Sequence, residues 1–280
     1  MGKNNLYKRS WYYVLLMTVL SAPLFADQKP MVIIIPSYNN SEYYDKNLDS
    51  VIAQKYSNYR IIYIDDCSTD QTANLVQKYI EHNDLQKKVE LIKNTKRQGA
   101  LANLYRAIHS CADHEIIVTV DGDDWLAHDG VLEKLNQVYS SQRVWMTYGS
   151  YDRYPDSSRK GCCAEIPKAI VKANAFRECK WLSSLLRTFY AGLFKRIAQE
   201  DLLYEGNFFQ MTWDLSFMFP MLEMCGDRFM YIPDILYIYN TTNPINDFKV
   251  DKQLQLKLEF FIRRKNKYQK LSEAMQYPWQ

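Results

Sequence analysis

The stretch "VTVDGDDWL", residues 118–126, ends an apolar run by setting Asp121, Asp123 and Asp124 within four positions. Two unit charges about 4 Å apart repel by about 4 kcal/mol at the effective dielectric near a protein surface, so the cluster requires a positive partner. An EF-hand loop is excluded, because Trp125 stands at position five, Leu126 in the glycine slot and Leu132 where the closing Glu belongs. Capping of the next helix accounts for one carboxylate and leaves two unexplained. A hard divalent cation, Mn2+ or Mg2+, with a phosphorylated ligand accounts for all three, since such ions combine carboxylates with phosphate oxygens and water. A substrate carrying a diphosphate is therefore expected.

The run before these acids is one of four. "MVIIIP" (31–36), "YRIIYID" (59–65), "VELIKN" (89–94) and "EIIVTV" (115–120) lack polar alternation, as strands buried on both faces of a parallel sheet do. Amphipathic segments over roughly 41–54, 69–80 and 99–108 separate them, which predicts a βαβ series. Ligands of open α/β sheets gather beyond the carboxyl ends of the strands. Here those ends read "PSYNN", "DDCSTD", "NTKRQG" and "DGDD", so four polar termini converge on one rim. Neither G-x-x-x-x-G-K-[ST] nor G-x-G-x-x-G occurs, which disfavours P-loop and dinucleotide sites.

Composition narrows the classes further. The chain has 280 residues and 24% charged side chains, enough for one large domain with appendages. Its formal charge of +3 disappears when Lys3, Lys8 and Arg9 are set aside, so binding to nucleic acid is not expected. Six cysteines without C-x-x-C spacing and four histidines without an H-x-x-x-H pair make a disulfide scaffold or a zinc site unexpected. Residues 1–26 combine a basic start with a mostly apolar run from Trp11 to Phe25, the pattern of a secretory signal or short signal anchor. Leu24 departs from an A-x-A cleavage site.

Beyond residue 150 the pattern is less regular. Helical stretches are expected near "WLSSLLRTFYAGLFKRI" (181–197) and "TWDLSFMFPMLEM" (212–224). Residues 252–272 read as a basic amphipathic C-terminal helix, docked with a solvated basic face in preference to a membrane-surface role. The expected division is 27–245 for the main domain, with a nucleotide-binding half (27–150) and an acceptor-binding half (151–245), then a helical extension over 246–280.

"VIIIPSYNN", "IDDCSTDQT" and "VDGDDWL", in this order and spacing, resemble the inverting GT-A glycosyltransferases of family 2 over roughly residues 31–240. The resemblance implies an α/β GT-A fold, a Rossmann-like, mixed but mainly parallel sheet flanked by helices. It also implies that Tyr38 flanks a nucleobase, with Pro36 in the same nucleotide-sugar site, that Asp66 accepts the base's ring N–H, that Asp121 contacts the ribose or the metal, and that Asp123 binds the metal bridging the diphosphate. A carboxylate accepting from a uracil N–H favours a UDP-sugar donor. Arg97 belongs near that donor. Family members place the general base late in the domain, where Asp214 follows Trp213 and the tryptophan replaces the usual first acid; Glu223 is the reserve. Cys67 stands where a glycine is common, and the Q-x-x-R-W signature of processive relatives is absent, which favours transfer of a single sugar to a glycan, protein or lipid hydroxyl. Tyr237 or Asn240 is a candidate for the acceptor side.

Two rival readings are a glycoside hydrolase, which needs a carboxylate pair but no metal, and a non-catalytic glycan- or nucleotide-binding protein on a degenerate fold. A lumenal compartment of the secretory pathway, or a membrane-associated enzyme facing the cytosol, would reconcile the N-terminal segment with a charged donor.

Overall fold

The four apolar runs form the strands β1 (Met31–Ser37), β2 (Tyr59–Asp65), β3 (Val89–Lys93) and β4 (Ile116–Thr119), paired in parallel in the order β3-β2-β1-β4. Every side chain of β1 and β4 is buried, as uninterrupted apolar sequence requires. Helices α1 (Tyr44–Ile52), α2 (Thr72–His82) and α3 (Ala100–Ser110) connect them in the expected alternation. The computed structural model describes residues 28–141, 143–158, 161–245 and 247–272. The signal or anchor expected over 1–26 lies outside the described residues.

Past β4 the sheet becomes mixed. The later strands are β5 (Trp125–Leu126), β6 (Met146–Tyr154), β7 (Thr188–Tyr190), the small hairpin β8 (Leu203–Tyr204) and β9 (Asn207–Phe208), and β10 (Phe229–Asn240). Eight of them make one sheet, β3-β2-β1-β4-β7-β6-β10-β5, in which β7 runs antiparallel to both β4 and β6 and β10 runs parallel to β6. The remaining helices are α4 (Val131–Ser141), α5 (Lys168–Lys172), α6 (Ala191–Phe194), α7 (Trp213–Cys225), α8 (Asp247–Val250) and α9 (Lys252–Arg263). This mixed, mostly parallel sheet flanked by helices is the GT-A architecture.

Two expectations need correction. The apolar stretch 181–197 is not one helix: Thr188–Tyr190 is a fully buried strand in mid-sheet, and only the four residues of α6 are α-helical. The C-terminal helix stops at Arg263 instead of running to 272, because the following bases leave the helical path for separate acids. Lys265 reaches Asp201 at 3.4 Å, Lys267 pairs with Glu178, and Lys270 meets Asp227 at 2.7 Å. None of the six cysteines forms a disulfide.

Candidate active site

The loop after β4 is held from three sides. From α1, the buried Asn47 amide donates to the carbonyls of Asp121 and Asp124 at 3.0 and 2.7 Å. Beneath it, a Cβ on Gly122 would stand 2.6 Å from Ser37 Oγ and 2.7 Å from Asn40 Nδ2, so only glycine lets the loop lie against the end of β1. From β10, the Tyr237 hydroxyl accepts the Asp121 N–H at 3.0 Å and donates to Asp124 Oδ2 at 2.8 Å. The Asn240 N–H completes the clamp with a 2.7 Å bond to Asp124 Oδ1.

Asp124 is therefore buried and structural, which corrects the expectation that one cation explains all three acids. Burial pushes its carboxyl well above the usual range, Asp123 and Asp121 add repulsion, and the Asn240 and Tyr237 bonds oppose them. Tyr237 and Asn240, candidates for the acceptor side, are instead buried members of this clamp.

Two clefts meet at Asp121, and Asp123 lines the smaller of them. The smaller, about 190 Å³, is lined by Pro36, Tyr38, Arg97, Asp121 and Asp123, with Asn243 and Tyr239 among the others. The Arg97 guanidinium lies 3.8 Å from the centre of the Tyr38 ring, a cation–π contact. Asn243 donates to Asp123 Oδ2 at 2.8 Å. Burial raises the Asp123 carboxyl and the Asn243 bond opposes the rise. Asp121, which also lines the larger cleft, is pushed up to about 6, first by burial and then by Asp123 and Asp214 against the pull of Arg187. Two hard carboxylate oxygens sets with incompletely compensated charge fit a divalent cation that takes the rest of its shell from phosphate and water.

The larger cleft, about 510 Å³, is lined by Asp121, Arg187, Trp213, Asp214, Tyr239 and residues of α9 including Gln255 and Glu259. Asp214 sits in the first turn of α7, where the helix dipole favours an anion. It is not the helix cap; Thr212 holds that position. Buried Arg187 joins the clefts: its guanidinium reaches Asp214 Oδ2 at 3.1 Å and Asp121 Oδ2 at 3.7 Å, and packs 5.1 Å from the Trp213 ring. Burial raises Asp214 and the Arg187 charge lowers it, the balance lying above the ordinary value.

Asp66, next after β2, is buried and lines neither cleft. It accepts from Asn94 Nδ2 at 2.8 Å, the Gln98 N–H at 2.9 Å and the Gly99 N–H at 2.8 Å. Burial would raise its carboxyl, but the amides of Asn103, Gln98, Asn94 and Gly99 outweigh it and hold the group below the ordinary range. Asp66 thus shapes the loop that carries Arg97. Glu223, the reserve base, is removed from the site: it is buried in a bidentate pair with Arg177 at 2.6 and 2.8 Å. The sequence reading missed Arg187, Asn47 and Asn243. For Arg187 a signal existed, since a cation inside the apolar run "SSLLRTFYAGLF" must find an acid to be buried at all.

The sheet order and the site at the strand ends define a GT-A protein. The model of glycosyl transferase family 2 matches residues 32–197, and the chain belongs to that family. An uncharacterized glycosyltransferase of Haemophilus influenzae is 33% identical over 119 residues, 42% of this chain and 46% of that protein, so the match spans about half of the relative. The crystal structure of TarS 1–349 from S. aureus, in complex with UDP-GlcNAc, superposes with a TM-score of 0.61 at 16% identity over 88% of this chain and 69% of that one. The mannosyltransferase PcManGT from Pyrobaculum calidifontis, in complex with GDP-Man and Mn2+, gives 0.57 at 20% identity over 91% and 68%. At these identities the superpositions establish the fold.

Proposed function

We propose that the chain is a metal-dependent, inverting glycosyltransferase moving one sugar from a UDP-sugar to a hydroxyl of a glycan, protein or lipid. The observation that carries this reading is the junction at Arg187. One guanidinium contacts Asp121, which lines both clefts, and Asp214, which lines only the larger. A donor in the smaller cleft and an acceptor in the larger would meet there.

In this reading the nucleobase packs against Tyr38 and Pro36, and Asp66, which already accepts from Asn94, Gln98 and Gly99, fixes the loop that carries Arg97 instead of meeting the base. Arg97 leans over Tyr38 toward the diphosphate. Mn2+ or Mg2+ on Asp121 and Asp123, when bound, supplies Lewis-acid stabilisation of the departing diphosphate. Asp214 takes the proton of the acceptor hydroxyl as its oxygen attacks the anomeric carbon. The bond from that carbon to the diphosphate breaks, its electron pair leaves with UDP, and configuration at the carbon inverts. Burial makes Asp214 a stronger base, while Arg187 favours its ionised form. The UDP-GlcNAc in the TarS structure supports a uridine donor, and the Mn2+ with GDP-Man in PcManGT supports the metal.

Calorimetric titration with UDP and Mn2+, together and separately, tests the donor half. Binding of UDP should require the metal and vanish in Asp123→Ala. A well-folded protein that binds no nucleoside diphosphate in the presence of Mn2+ would overturn the reading, whereas binding without turnover on any acceptor would favour the non-catalytic alternative.

A further inference from the structure

Helix α9 has three differently built sides. Leu258 and Ile262 are buried against the body, and Gln255 and Glu259 border the larger cleft. The third side is apolar yet open: Leu256 is 57% exposed and Phe260, one turn on, is 60% exposed. Six large hydrophobic side chains are exposed among the described residues, and Ile245, Val250, Leu256, Phe260 and Phe261 are five of them. Ile245 lines the smaller cleft and Phe261 packs on the Tyr204 ring, so Val250, Leu256 and Phe260 form the open apolar face, and such a patch marks an interaction surface.

Charge identifies the partner. Residues 247–272 carry eight bases and three acids, against 24 bases and 28 acids over 27–246, and although Arg263, Lys265, Lys267 and Lys270 pair with acids of the fold, further cations face outward. Exposed Lys252, Lys257 and Arg264 border the stripe, and the Arg264 guanidinium lies 5.0 Å from the Phe260 ring centre. We propose that the outer face of α8 and α9 docks on a bilayer surface carrying anionic headgroups. Leu256 and Phe260 enter the acyl boundary while the flanking cations stay at the headgroups. A second copy would bring the same cations face to face. The chain's own N-terminal segment, with Lys3, Lys8 and Arg9, meets the same repulsion. Among the described residues no helix is long and apolar enough to cross a membrane, so this face would lie on the bilayer. The inference requires neither donor nor metal and stands apart from the transferase reading.

The test uses full-length protein and vesicles of phosphatidylcholine with or without phosphatidylglycerol. Because residues 11–25 can themselves partition, the face is read locally through Phe260→Trp, by its fluorescence over the wild-type background. The added indole should shift to the blue and be quenched by lipids brominated on the acyl chain, with phosphatidylglycerol present. Flotation of Leu256→Glu/Phe260→Glu, both at exposed positions, should show vesicle affinity lower by about tenfold or more with an unchanged melting temperature. Raising salt to 0.5 M should weaken the wild type by screening. No quenching of the added indole, or equal binding of wild type and double variant, overturns the proposal. So does a dimer in solution that the double variant abolishes, which would assign the face to a second copy.

Discussion

Helix α7 carries an acid near each end, and each faces a buried arginine, but the two pairs are built differently. At the far end Arg177 meets Glu223 through two bonds of 2.6 and 2.8 Å, with side-chain exposures of 2% and 0%. Their spare capacity is used as well: Arg177 donates to the Ile262 carbonyl, and Glu223 accepts the Tyr268 N–H. At the near end Arg187 divides itself between Asp214 and Asp121, its Nε has no hydrogen-bond partner, and the two acids stay 20% and 25% exposed to the cleft. A saturated, sealed pair fixes a structure; a shared, unsaturated one at a cleft wall keeps charge available for a ligand. Composition alone does not separate the two, which is why Asp214 and Glu223 both stood as candidate bases.

The contrast breaks most sharply under Asp214→Asn. Turnover should fall by about 10²- to 10⁴-fold, the usual worth of a general base, with UDP affinity kept. A variant turning over at the wild-type rate would remove Asp214 from the reaction. Arg177→Met should do the opposite. It leaves the Glu223 charge buried without its partner and should cost about 3–5 kcal/mol in urea unfolding, with turnover per folded molecule unchanged. Loss of turnover without loss of stability would mean that the sealed pair is also functional.

A pH experiment sharpens the near end. Burial pushes the Asp121 carboxyl up to about 6 in the folded protein, against about 3.9 in an unfolded chain. Between those values the native state holds a proton that the unfolded state has released, so this group's contribution to stability falls as pH rises and is fully lost above about 6. The loss is at most about 3 kcal/mol. Metal-free Asp121→Asn should therefore gain on the wild type in melting temperature between pH 4.5 and 7.5. A difference that does not change with pH would show that Asp121 is not raised.

What was legible in the sequence follows from the same locality. Strands buried on both faces leave uninterrupted apolar runs, so β1, β2 and β4 and the acids after β2 and β4 could be read directly, whereas β3, at the sheet edge with Glu90 and Lys93 exposed, is only half-buried. The strand β7 could not, because three buried residues within a longer apolar stretch carry no period that separates strand from helix. Nor could the division of labour among Asp121, Asp123 and Asp124, since it depends on Tyr237 and Asn240, over a hundred positions away. Arg187 was visible as an isolated cation, but its two acids lie on separate elements that only the fold brings together.

The smallest predicted effect concerns a departure from the family pattern. Cys67, where the resemblance to family 2 implies glycine, adopts φ +61°, the left-handed region. A Cβ in that region costs roughly 1–2 kcal/mol, while glycine loses more backbone freedom on folding, so Cys67→Gly should gain about 1 kcal/mol net. For a chain of this size that is a rise of about 2–4 °C in melting temperature. Cys67→Ala separates the causes: it removes the sulfur but keeps the Cβ, and should bring no such gain. If alanine stabilises as much as glycine, the thiol and not the backbone is the strained group, and the turn beneath Asp66 tolerates its left-handed residue without penalty.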